Sequence, residues 1–131
     1  MTIEVLTLCD FAQNTGNKLN IIGTFNTINM VDISLPFTFY VAVRFRYNKD
    51  EIGKKEVTFN VLSPSGEKLI QPLKAVNHVS NNSDEPFVSA SLCLCMNNYV
   101  FKEFGLHKVT VETEGNIYEL PLQVKQIKIP K

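Results

Sequence analysis

The sequence is short of the residues that carry most reactive chemistry, and it has no segment suited to a bilayer. It holds two histidines, three cysteines and four aspartates in 131 residues. The aspartates stand far apart, at Asp10, Asp32, Asp50 and Asp84, whereas a calcium-binding sandwich gathers several at one end. Six glycines occur without clustering, so no loop is built to cradle phosphate. No G-x-S-x-G elbow is present, and neither histidine has an evident serine or cysteine partner. Apolar runs fall well short of the roughly 20 residues that span a membrane. Thirteen basic residues balance thirteen acidic ones, which speaks against nucleic acid held by phosphate neutralisation. The opening MTIEVLTLCDF carries Glu4 and no basic stretch, unlike a signal peptide. An odd set of three cysteines without an export signal favours reduced thiols in a cytoplasm. No cofactor is implied.

What the chain does have is alternation. A hydrophobic fraction of 44% is that of a globular protein, and the length suits one domain over residues 1–131. Phe37, Phe39, Val41, Val43, Phe45 and Tyr47 alternate strictly with more polar residues, which requires a strand with one buried face. Val57, Phe59 and Val61 repeat the pattern, ending at the turn Ser63-Pro64-Ser65-Gly66. A shorter strand is expected around Lys68 to Ala75, with Pro72 marking an edge or bend. Further rows are Val88 to Met96, His107 to Val111, and Tyr118 to Val124 after a turn at Gly115-Asn116. Leu6 to Phe25 reads as two strands joined at Asn14-Thr15-Gly16-Asn17. About eight strands and no helical period predict an all-β antiparallel sandwich of immunoglobulin-like, Greek-key type. Asn26 to Pro36 is expected to cross between the sheets without a strand of its own.

Few residues offer a site. The polar stretch Asn77 to Pro86 reads as a loop in which His78 lies near Asp84 and Glu85, a possible small-ligand or metal site. Its spacing matches no zinc pattern. Asn81-Asn82-Ser83 fits a glycosylation acceptor that has no meaning without export. On the outward face of the Phe37 strand, Tyr40, Arg44 and Arg46, with Lys54 and Lys55 just beyond, form a candidate recognition patch for an acidic peptide or phosphate. Cys93 and Cys95 share one strand face and read as small half-buried sheet residues, and Cys9 is expected to point with Ile3, Val5 and Phe11 to the core. His107 follows Phe104-Gly105-Leu106 at a place where many sandwiches have a corner tyrosine, and a structural role is expected for it.

The segments Glu4 to Ala12 and Gly16 to Phe25, EVLTLCDFA and GNKLNIIGTF, resemble the start of a family of small bacterial and phage-associated proteins defined only as a domain of unknown function. The resemblance covers the whole chain, with His107 at the family's corner-tyrosine position. It implies a bacterial or phage source and supplies no activity. The expected function is therefore a non-enzymatic module that binds a protein partner, or itself, through loops or a sheet edge. A small-ligand or metal site in the Asn77–Pro86 loop is the alternative. A hydrolase using His78 with Asp84 or Glu85 comes third.

Overall fold

The computed structural model describes residues 1–68, 72–80 and 84–129. Nine strands follow in order: β1 (Thr2–Thr15), β2 (Lys18–Phe25), β3 (Thr27–Met30), β4 (Phe37–Asn48), β5 (Gly53–Leu62), β6 (Leu73–Val79), β7 (Phe87–Tyr99), β8 (Gly105–Thr113) and β9 (Asn116–Gln126). No helix occurs among the described residues. One sheet has the order β2-β1-β4-β7 and the other β3-β9-β8-β5-β6. Every pairing is antiparallel except β3 with β9. The fold is an antiparallel, immunoglobulin-like β-sandwich.

The inward rows read from the sequence build the core. Phe39, Val41, Val43, Phe45 and Tyr47 of β4 face Val57, Phe59 and Val61 of β5, Val109 and Val111 of β8, and Leu122 and Val124 of β9. Burial of one such side chain contributes about 1.5–3 kcal/mol. Aromatic rings close one end, where Phe39 stacks on Phe101 at 6.2 Å and Tyr99 meets Phe101 edge-on at 4.7 Å. At the other end the buried Asn77 amide donates to the Tyr47 hydroxyl at 3.1 Å.

Three sequence expectations change. Asn26 to Pro36 does cross between the sheets, but it contains β3, whose Ile28 and Met30 are buried. Two alternations in four residues are too few to recognise a strand, and the pairing with β9 supplies the rest. The strand expected from Lys68 to Ala75 is β6, displaced toward Val79. Asn77, His78 and Val79 therefore belong to a strand, while Leu69 to Gln71 and the acceptor Asn81-Asn82-Ser83 lie outside the described residues. The last hairpin turns at Glu114 and Gly115, both with positive φ, one residue earlier than expected.

The β1–β2 hairpin does more than extend a sheet. Gly16 and Asn17 both have positive φ, 53° and 64°, as a tight type I′ hairpin requires. Below the turn the ladder runs through Cys9↔Thr24 and resumes at Phe11↔Ile22, with Asp10 and Gly23 between them unpaired. Gly23 has φ +70°, and a Cβ there would collide with the Asp10 carboxylate. Beyond this irregularity the hairpin lies over the outer face of its own sheet. There Ala12, Leu19 and Ile21 pack with Cys9, Ala42 and Cys93 in a small second cluster. Cys9 is thus buried, as expected, but under the hairpin and apart from the main core. Phe11 is 41% exposed.

Candidate functional site

Tyr40, Arg44 and Arg46 do share the outer face of β4, as alternation dictates. Their chemistry is largely engaged within the chain. Arg44 donates from Nη1 to the carbonyl of Asn17 at 3.0 Å and to Ser91 Oγ at 3.1 Å. Its Nε also lies 3.5 Å from Glu4, whose other carboxylate oxygen is 3.6 Å from Arg46. Asn14 adds a bond from its amide to the Ser91 carbonyl at 3.0 Å. Arg44 is therefore a clamp that ties the hairpin tip to the sheet. Tyr40 meets Phe11 edge-on at 5.3 Å. Lys54 and Lys55 sit on β5, in the other sheet, and Lys55 pairs with Glu114 at 2.9 Å. A continuous basic patch does not form.

The second candidate, His78 with Asp84 and Glu85, is split. His78 is an exposed residue of β6 opposite Lys54, not a loop residue. Asp84 and Glu85 are exposed just before β7. Instead, Glu85 and Arg44 line one groove of about 400 Å³ with Asn17, Ser80 and Phe87. The structure thus joins one residue of each expected site. Among the described residues no group of three or more His, Cys, Asp and Glu side chains is placed to hold a metal.

The three thiols are free and gather around Tyr40, since Cys9, Tyr40 and Cys95 lie in one row across β1, β4 and β7. Burial raises the Cys9 thiol above its ordinary value, with the neighbouring Cys93 adding to it, and burial raises Cys93 as well. A hydrogen bond with Cys95 holds the Tyr40 hydroxyl above its ordinary value. Nucleophilic cysteines have lowered values, so Cys9 and Cys93 are packing residues. His107 is 2% exposed, its Nδ1 is 3.0 Å from the Gly105 carbonyl, and its ring meets Phe101 at 5.1 Å. Because a carbonyl only accepts, the Nδ1–H donates, and the imidazole secures the corner before β8.

The feature that alternation alone did not reveal is the edge of β7. Its thirteen residues, FVSASLCLCMNNY, contain no charge, no proline and no glycine. Pairing with β4 is unbroken from Phe39↔Met96 to Asn48↔Phe87, and the one irregularity comes at Asn97–Asn98, by Thr38. Among the described residues β7 pairs with β4 alone. The other three edges are protected in the usual ways. β2 carries Lys18 and the Gly23 irregularity, β3 has four residues, and β6 is short and carries Lys74 and His78. The sequence signal was the absence of charge over residues 87–99, which becomes meaningful only once the strand is known to be an edge.

These features define an immunoglobulin-like sandwich with one long neutral edge. The chain belongs to the family of unknown function DUF6941, whose sequence profile matches residues 4–125. No curated protein matches it. Among solved structures, a β-glucosidase from Listeria innocua is similar over 98% of this chain and 16% of its own, with 15% identity and a TM-score of 0.51. The chain thus spans about one sixth of that enzyme's length, and the likeness is one of fold. An immunoglobulin-like protein from Pseudomonas aeruginosa is 12% identical over 90% of this chain and 91% of its own, with a TM-score of 0.38.

Proposed function

We propose that this chain is a non-enzymatic module that binds protein by accepting an extended strand along the free edge of β7. The observation that carries the reading is that edge, long, regular and without the charges or prolines that natural sheets use to refuse a partner. Strand addition draws affinity from backbone bonds and specificity from alternating side chains. Here the outward row offers Ser89 and Cys95, while Ser91 is held by Arg44 and Asn14 and Cys93 packs under the hairpin. The separation of His78 from a loop and the raised Cys9 and Cys93 thiols favour a binding role over hydrolysis. The free thiols suit a reducing bacterial or phage-infected cytoplasm. Amide exchange tests the reading. β7 amides that face away from β4 exchange freely in the isolated chain and become protected when a partner binds. A bound partner that leaves β7 exchange unchanged refutes it.

A second reading, a small-ligand site, is favoured by the groove that Arg44 and Glu85 share. Thermal-shift screening with small anions and metabolites tests it. No stabilisation beyond buffer, or stabilisation that survives Glu85→Gln, removes it.

A further inference from the structure

The composition of the four sheet edges also points to what pairs with β7. We infer that β7 pairs antiparallel with β7 of a second copy of this chain, about a two-fold axis, joining two four-stranded sheets into one. This deepens the edge reading and rests on it. Three observations carry it. The strand is uncharged, so a copy of itself meets no like-charge repulsion, which directly opposed charges would impose.

The alternation is also self-complementary. A two-fold axis sets one residue opposite itself, so residues of equal parity face each other. With the axis at Cys93, Cys93 meets Cys93 and Ser91 meets Cys95 on the outer row, while Leu92 meets Leu94 and Ala90 meets Met96 on the Val88, Ala90, Leu92 and Leu94 row. That row packs on the core yet is only half-buried in one chain, and a second strand beside it supplies the missing cover. Full overlap of Phe87–Tyr99 centres the axis on Cys93.

The third observation is closure. After β7 is paired, the joined sheet ends at β2 on both sides, where Lys18 and the Gly23 irregularity discourage further addition. An isologous contact between such edges gives a dimer and not a fibre.

Sedimentation of the full chain, with Cys93→Lys and Cys93→Glu variants, tests the pairing. Wild type sediments at twice the chain mass. Each variant alone places like charges at the axis and weakens the dimer by roughly tenfold or more, while an equimolar mixture of the two restores it. A wild-type monomer across the micromolar range overturns the inference, as do variants that remain fully dimeric. Because Cys93 is half-buried, Cys95→Lys at an exposed position serves as the second variant, its lysine opposite Ser91 of the other copy and so beside the Arg44 that Ser91 binds. It weakens the dimer while keeping the wild-type circular dichroism melt, and an unchanged dimer overturns the pairing. A chain that stays monomeric while added strand-forming peptide protects the β7 amides overturns self-pairing and leaves the edge reading intact. A monomer whose β7 amides no peptide protects overturns both.

Discussion

Gly23 meets two requirements that alanine does not. The residue at 23 needs a positive φ, and its missing Cβ makes room for the Asp10 carboxylate. Gly23→Ala is expected to destabilise the protein by about 1–3 kcal/mol in urea unfolding, through both strain and collision. Adding Asp10→Ala recovers the collision share but not the backbone share, so a double-mutant cycle returns a coupling. Tyr47 and Asn77 make a second test. Tyr47→Phe leaves the buried Asn77 amide without its acceptor, a loss of about 1–3 kcal/mol that thermal unfolding reads directly. Glu51 adds a pH dependence. The bond from the Met1 ammonium at 2.7 Å, with a further one from the Asn48 N–H, holds its carboxyl below the ordinary carboxylate value. Its contribution is therefore complete above that ordinary value and is lost as pH falls through the lowered one. The melting-temperature difference between wild type and Glu51→Gln accordingly shrinks on acidification.

At the scale of the element, the β1–β2 hairpin behaves as an arm held down by Arg44. Arg44→Gln removes the bond to the Asn17 carbonyl and the ion pair with Glu4. The arm then lifts more often, and Cys93 beneath it reacts faster with a thiol reagent. In the unaltered protein the exposed Cys95 reacts first and the buried Cys9 last, as burial and the raised Cys9 value require. Strand existence is legible in alternation, because the β4, β5 and β8 rows each bury one face against the opposite sheet. Side-chain destination is less legible. Cys9 lies on a face that a sheet of ideal geometry would expose, and only the folded-back arm buries it. His78 shows the converse, since a polar edge strand and a polar loop have the same composition. Arg44 stood out as a charge on an outward face, but its partner Asn17 is brought to it by the hairpin, which period-2 counting does not describe.

For the whole molecule, class and core were legible and topology was not. Inward rows specify two apolar faces that must meet, and so a sandwich. Which strand lies beside which depends on pairings between distant segments, and β7 as an edge follows from strand order alone. The candidate site suffered accordingly. A neutral stretch in the sequence carries no message until its neighbours are known. Self-pairing at that edge predicts concentration-dependent stability. The melting temperature rises with protein concentration for wild type and becomes independent of it for Cys95→Lys.

The parallel pairing of β3 with β9 sets the order in which this chain can be built. Thr27 waits for Gln123 and Met30 for Gln126, so a short early strand has no ladder until residues 123–126 have been made. At roughly 5–20 residues per second a ribosome leaves it waiting for several seconds. The first sheet can assemble earlier, once β7 emerges beside β4, but the edge of β9 that receives β3 arrives after the other eight strands. Closing the sandwich is therefore a late event, and a ribosome-bound chain cut short before β9 should remain sensitive to protease at Asn26 to Pro36 while β4 is already protected.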